Sequence, residues 1–364
     1  MRTLEEALAA GPANNLNLIR LAAASAVLIS HSYPLTGGPN AHDPLERLIG
    51  IDLGGLAVAV FFVVSGLLIT RSFQHHRALK EWFLGRALRL FPALVIVLVL
   101  CALILGPIVS ERSVGDYFAQ SRTWRYVPSN LTLAMLQYDL PGVFKSNPYP
   151  DAVNGSLWTL FFEVGCYGVV LALGIARLLC GRKAPWGVAV VIAVAIGLVA
   201  AASWFAPRHA VIVSQAGFLL MPFALGMLAS VLADRVCLSA CYPAAALVLA
   251  ASTWALPVFW ITRTLAIAVI VLWIGFVPRD KWLRFNRFGD ISYGVYVYAF
   301  PVQQTAVWLW PGQLWWQNCL SSALPVLGFA TLSWLLVEKP AIAYGRRLAR
   351  LASIADTFPA APAK

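Results

Sequence analysis

The chain has 364 residues, of which 60% are hydrophobic and only 12% are charged, and its mean hydropathy is +0.75. A soluble domain carries about a quarter charged residues, so this composition excludes a soluble globular protein and predicts an all-α integral membrane protein. The formal net charge of +11 does not require a nucleic-acid partner, because most Lys and Arg residues flank predicted membrane spans.

Ten apolar segments of about 20 residues, the length that the hydrocarbon core of a bilayer requires, predict ten transmembrane helices. They cover 16–34, 51–72, 88–108, 156–179, 186–205, 210–232, 239–256, 259–277, 290–311 and 317–337. We expect residues 1–352 to form one membrane domain and residues 353–364 to form a disordered cytoplasmic tail.

The distribution of Lys and Arg predicts the orientation of the spans, because cytoplasmic loops carry an excess of these residues. With the N-terminus in the cytoplasm, the inner segments hold nineteen of the 27 Lys and Arg residues and the outer segments seven, with Arg20 inside the first span. The sequence therefore predicts a multi-pass protein of the cytoplasmic (inner) membrane with both termini in the cytoplasm. The six Cys form no C-x-x-C pair, and we expect no metal site.

The first predicted span contains Arg20 and, eleven positions later, His31, although both are costly inside a bilayer. Eleven residues at about 100° each end about 20° past three full turns, so both side chains share one helix face and lie about 16 Å apart along the axis. Snorkelling of Arg20 to the headgroups and an interfacial hydrogen bond of His31 would also explain them. Together the two residues favour a polar path through the protein.

The segment before the third predicted span, RSFQHHRALKEWFLGRALRLFPAL, is basic, and its Arg86 and Arg89 lie three residues apart on one helix face. They could bind phosphate oxygens through their forked donors, although positive-inside flanking charge explains most of the cluster. Glu163 lies about two turns inside the fourth predicted span, at a depth close to that of His31. An intramembrane carboxylate indicates a functional site, with a structural ion pair as the alternative.

These residues carry a resemblance to a known family. NLNLIRLAAASAVLISH resembles the Arg-x10-His signature of the membrane-bound acyltransferase-3 family, whose members O-acylate glycans. FFVVSGLLIT resembles the family's second span, and GRALRLFP resembles its Arg-x-x-Arg motif before the third. NGSLWTL followed by Glu163, then SYGVYVYAFPV and VEKPA, match later landmarks in the family's order, over almost the whole chain.

The resemblance implies ten core helices, cytoplasmic acetyl-CoA as the acyl donor, and a hydroxyl of an extracytoplasmic glycan, such as a surface polysaccharide or lipopolysaccharide, as the acceptor. It assigns catalysis to Arg20 and His31 and acyl-CoA binding to Arg86 and Arg89. We expect His31 either to deprotonate the acceptor hydroxyl or to accept the acyl group itself, and Glu163 to orient or polarise His31. Many members of the family have a histidine at the position that Ala299 occupies in this chain, so this histidine is not required here.

The main alternative is a transporter or flippase for a glycan or a lipid-linked intermediate, because broken helices and intramembrane charges mark such proteins. Pro257 and Pro301 could break spans in this way. The two halves of the chain show no repeat, however, and the charged residues within spans cluster in the first four, which favours the enzyme. A scaffold subunit of a glycan synthase is a third alternative. The sequence leaves the acceptor, the acyl group and the oligomeric state open.

Overall fold

The computed structural model of the protein describes residues 2–75, 79–277 and 280–357. Over these residues the fold is all-α, and the only extended pairings are isolated bridges that join Thr3 to Cys237 and Ser110 to Val143. The prediction of an all-α fold is therefore confirmed.

Ten main helices make up most of the described residues, and we number them in chain order. They are α1 (Leu16–Gly37), α2 (Leu53–His75), α3 (Leu79–Leu100), α4 (Trp158–Ile175), α5 (Ala184–Ala201), α6 (Pro207–Val231), α7 (Cys241–Ser252), α8 (Phe259–Phe276), α9 (Ser292–Leu309) and α10 (Trp315–Ser333). α3 continues through the π-helical turn Cys101–Leu105 into Gly106–Val109, and α10 continues through the π-helical turn Trp334–Glu338 into Lys339–Thr357. Shorter helices lie at Leu4–Ala9, Pro44–Ile49, Val114–Ala119, Ser121–Leu131 and Asp280–Leu283.

Eight helices of the described residues are long and apolar enough to cross a membrane: α1 to α6, α8, and α10 with its continuation. They match eight of the ten predicted spans. The predicted seventh span forms only the 12-residue α7, which at 1.5 Å per residue is about 18 Å long, shorter than the roughly 30 Å core of a bilayer. The predicted ninth span forms the 18-residue α9, which has the length but is less apolar.

The lower apolarity of α9 follows from its position inside the protein. α9 packs against α1 and α10, and most of its residues are buried. The amide of Gln303 donates to the backbone oxygen of Leu28 at 2.8 Å, and the amide of Gln304 donates to that of Ala152 at 2.8 Å. Polar side chains are tolerated in a membrane protein where other protein groups satisfy them. α9 is therefore a central helix with few lipid-facing residues.

Two glycines allow α2 and α6 to pack closely. A Cβ atom on Gly66 would lie 2.0 Å from the backbone oxygen of Phe223, and one on Gly226 would lie 2.1 Å from that of Val63. Small residues at such contacts let the backbones of membrane helices approach each other. This contact fixes α2, which contributes residues to both cavities described below.

The long connection between α3 and α4 ends in a fixed junction with α9. The buried side chain of Asn154 donates from Nδ2 to the backbone oxygen of Val297 at 2.9 Å, and its Oδ1 accepts from the backbone N–H of Ser156 at 3.2 Å. The turn Gly155–Leu157, which leads into α4, is thereby held against the middle of α9.

The C-terminal helix is described as far as Thr357, and residues 358–364 lie outside the described residues. The single membrane domain over 1–352 and the disordered tail over 353–364 therefore stay predictions.

Candidate active site

Two arginines from different helices share one carboxylate. Arg20 of α1 and Arg89 of α3 both donate to Oδ2 of Asp290, which lies just before α9. The other oxygen, Oδ1, accepts from the hydroxyl of Ser292 at 2.5 Å. The side chains of Arg20 and Asp290 are only 15% and 9% exposed, whereas that of Arg89 is 41% exposed. Because one carboxylate faces two guanidinium groups, these three side chains together carry a net charge of +1.

Glu163 lies beside this cluster. Its Oε1 accepts from the hydroxyl of Tyr167 at 2.6 Å, one turn further along α4. Arg86 donates from Nη2 to the hydroxyl of Ser72 at 3.3 Å. Its Nε is buried and has no hydrogen-bond partner within the described residues.

A cavity of about 50 Å³, which we call the arginine cavity, is lined by Arg20, Arg89 and Glu163. The other polar side chains that line it belong to Ser65, Thr159, Tyr167, Tyr293 and Tyr296, and the apolar ones to Val58, Phe61, Phe62, Leu90 and Leu160. The structure thus brings together three of the five side chains selected from the sequence, from α1, α3 and α4. Arg86 lies outside this lining.

His31 lies in a different place. It lines a larger cavity of about 370 Å³, which we call the histidine cavity, near the C-terminal end of α1. The other polar or charged side chains that line it belong to His42, Glu46, Asp52, Thr159, Gln215, Arg263, Thr264 and Tyr296. The ring of His31 contacts Phe300 edge-to-face, with 5.3 Å between ring centroids, and its Nδ1 is buried without a hydrogen-bond partner among the described residues.

The predicted pair of His31 and Glu163 is not formed. Glu163 instead contacts Tyr167 and faces the arginine cavity, while His31 faces the histidine cavity. The prediction placed the two residues at one depth, but Glu163 lies one turn beyond Thr159, which lines both cavities, and so reaches only the arginine cavity. Arg20 and His31 share α1, as predicted, but line separate cavities.

A shared wall separates the two cavities. Val58, Thr159 and Tyr296 line both of them. The hydroxyl of Tyr296 donates to the backbone oxygen of Ser156 at 2.7 Å, so the hydroxyl of Thr159, 2.5 Å away, must donate to Tyr296. All three lining side chains are buried, with residue exposures of 5% to 7%.

Sequence reasoning missed Asp290, Thr159 and Tyr296. Asp290 had a detectable signal, since it is a carboxylate in FGDISYGVYVY at the start of an apolar segment. Thr159 and Tyr296 had none, because their significance arises only when α4 and α9 meet. Within residues 2–75, 79–277 and 280–357, no group of three or more His, Cys, Asp or Glu side chains could hold a metal ion.

Comparison with known proteins shows the family to which the chain belongs. A family profile described as an acyltransferase domain matches residues 14–338, which include all the residues that line the two cavities. The chain belongs to the acyltransferase-3 family. Membership identifies the protein as an acyltransferase embedded in a membrane.

Two relatives align over nearly the whole acyltransferase chain. The O-acetyl transferase of Shigella phage Sf6 is 30% identical over 339 residues, which cover 90% of this chain and 95% of the relative. Nodulation protein 10 of Rhizobium leguminosarum bv. viciae is 28% identical over 366 residues, which cover 91% and 94%. No solved structure matches the chain.

Proposed function

We propose that the protein is an O-acetyltransferase of the cytoplasmic membrane that moves an acetyl group from cytoplasmic acetyl-CoA to a hydroxyl of an extracytoplasmic glycan. The observation that carries this proposal is the pair of adjoining cavities, one lined by arginines and the other by an imidazole. The similarity to a phage O-acetyl transferase supports the choice of acetyl.

The arginine cavity is the proposed donor site. Coenzyme A carries phosphate groups, and the planar guanidinium fork binds phosphate with two parallel hydrogen bonds. Arg89 is partly exposed, and Nε of Arg86 has no hydrogen-bond partner in the part of the chain that the structure describes, so we assign both to the phosphates. Arg20 is more deeply buried and is held by Asp290. It would face the part of the donor that enters the cavity.

The histidine cavity is the proposed acceptor site. Its volume of about 370 Å³ and its lining by His42, Glu46, Asp52 and Gln215 suit a ligand rich in hydroxyl groups. Small-ligand sites typically combine a few hundred Å³ of space with a small number of polar groups that fix orientation.

In the proposed reaction, His31 removes the proton of the acceptor hydroxyl, and the resulting oxygen attacks the thioester carbon. The carbon–sulfur bond breaks as the ester carbon–oxygen bond forms, and the coenzyme A thiolate takes the proton back from His31. General base catalysis of this kind typically contributes about 100- to 10,000-fold to the rate. Glu163 has a role different from the predicted one. It balances the positive charge of the arginine cavity and accepts the hydrogen bond that holds Tyr167.

The proposal is tested with purified protein in liposomes that contain the lipid-linked glycan of the native host. Acetyl-CoA labelled in the acetyl group is added, and label released from the glycan by mild base is counted. The proposal expects transfer by the wild type and none by the His31→Ala variant. Movement of the glycan across the bilayer without label would instead indicate a flippase.

A further inference from the structure

The wall between the cavities is where an acyl group has to pass. A donor held by the arginines and an acceptor next to His31 occupy cavities that are both lined by Val58, Thr159 and Tyr296. The reacting thioester carbon must therefore come within contact distance of these three side chains.

We propose that Val58, Thr159 and Tyr296 form a constriction that selects the acyl group by size and admits the two-carbon acetyl group in preference to longer ones. This inference rests on the proposed function, since it presumes that acyl-CoA is the donor.

The volume of the arginine cavity supports a small acyl group. A cavity of about 50 Å³ has room for roughly three to five water-sized groups, at 10–15 Å³ for each. The thioester end of an acetyl donor has four non-hydrogen atoms, the three of the acetyl group and the sulfur, and fits this space. Each further methylene of a longer acyl group would collide with Val58 or with the hydrogen-bonded pair of Thr159 and Tyr296.

Hydrogen bonds and ring packing also fix the side chains of the wall in position. The Thr159 hydroxyl donates to that of Tyr296, which in turn donates to the backbone oxygen of Ser156. The Tyr296 ring packs edge-to-face on Phe61 at 6.0 Å between centroids, and Asn154 ties the start of α4 to α9. Packed interiors resist small displacements, so an extra methylene meets a fixed surface rather than a flexible one.

The test is a competition between two donors in membrane vesicles from cells that make the acceptor glycan. Acetyl-CoA and propionyl-CoA, with different labels and at equal concentration, are supplied together, and the acyl groups released from the glycan by mild base are measured. The ratio of propionyl to acetyl transfer does not depend on how much of the enzyme is folded. A general loss of stability therefore leaves it unchanged.

Val58→Ala removes two methyl groups from the wall and should raise the propionyl-to-acetyl ratio about tenfold or more, the usual effect of one methylene in an apolar pocket. Thr159→Ser removes one methyl group, keeps the hydroxyl and should raise the ratio in the same direction. If Val58→Ala does not fold, the propionyl-to-acetyl ratio of Thr159→Ser tests the constriction. Val63→Ala is the matched control, because Val63 is a buried valine of α2 that lines neither cavity, and its ratio should equal that of the wild type.

A wild-type ratio in both Val58→Ala and Thr159→Ser would overturn the constriction while leaving the proposed function intact. Failure of the wild type to use either donor, in vesicles whose glycan is acetylated in living cells, would instead overturn the proposed donor. An increase in Val63→Ala equal to that in Val58→Ala would show a general loosening and would also overturn the assignment of these residues.

Discussion

At the scale of single residues, the arginine cavity depends on Asp290. Removing one member of a buried ion pair leaves the other charge buried without compensation, and this typically costs about 3–5 kcal/mol. Asp290 pairs with the buried Arg20 and with the partly exposed Arg89, and the two guanidinium groups would repel each other without it. The cluster therefore has a structural consequence that can be measured without any substrate.

Asp290→Asn should lower the free energy of unfolding by about 3–5 kcal/mol, seen as a clear fall in the unfolding temperature of the detergent-solubilised protein. Asp139→Asn is the control, because Asp139 pairs with Arg122, whose side chain is 60% exposed. Exposed pairs contribute about 0–1 kcal/mol. Equal falls in the two variants would mean that the Asp290 pairs contribute no more than a surface ion pair.

Arg86 offers a cleaner test of donor binding than Arg89, because it forms no salt bridge among the described residues, whereas Arg89 is paired with Asp290. Arg86→Gln should weaken coenzyme A binding by roughly 1.5–3 kcal/mol, the contribution of a charge-assisted hydrogen bond. Arg86→Lys should recover part of this loss, since lysine lacks the fork. Binding is measured by calorimetry, with Arg182→Gln as an exposed control. Unchanged affinity in Arg86→Gln would remove Arg86 from the donor site.

His31 is the residue on which the proposed chemistry depends. Glutamine can keep a hydrogen bond but cannot accept a proton, so His31→Gln should bind acetyl-CoA normally and lose about 100- to 10,000-fold in the rate of transfer. His209→Gln, which changes an exposed histidine outside both cavities, should transfer at the wild-type rate. A near-normal rate for His31→Gln would reduce His31 to a packing residue against Phe300.

At the scale of helices, the apolar pattern predicted where the helices lie but not how they face each other. The main helices overlap the ten predicted spans because long apolar runs can satisfy their backbone in a membrane only as helices. Glu163, expected beside His31, lines the arginine cavity instead, because counting residues along predicted spans does not fix depth to within one helical turn. Asp290 and Arg20 are 270 residues apart in the chain, and no local pattern indicates that they meet.

The close contact between α2 and α6 gives a prediction about glycine. Gly66→Ala places a Cβ 2.0 Å from the backbone oxygen of Phe223, so the helices must separate. We expect a loss of about 1–3 kcal/mol or more from this overpacking. Gly168→Ala, on the exposed face of α4 with no atom within 4 Å of the new Cβ, should be neutral or slightly stabilising, since alanine favours helix by about 1 kcal/mol. Thermal unfolding of both variants distinguishes a required contact from a tolerant one.

At the scale of the whole molecule, the two cavities lie towards opposite ends of α1. Arg20, near the N-terminal end, lines the arginine cavity, and His31, eleven residues later, lines the histidine cavity. With the orientation predicted from Lys and Arg, the arginine cavity lies on the cytoplasmic side and the histidine cavity on the outer side. In this arrangement the acyl group crosses only the wall formed by Val58, Thr159 and Tyr296, while the coenzyme and the glycan stay on their own sides.

The sidedness of the reaction tests this account most directly. Sealed membrane vesicles with the cytoplasmic face outward, and others with that face inward, are prepared from cells that make the glycan, and each receives external labelled acetyl-CoA. We predict that label enters the glycan only in vesicles with the cytoplasmic face outward, and that detergent opening makes the two preparations equal. Vesicles carrying His31→Gln should label neither. Equal labelling of both sealed preparations, or labelling only with the cytoplasmic face inward, would contradict a cytoplasmic donor site and an outer acceptor site.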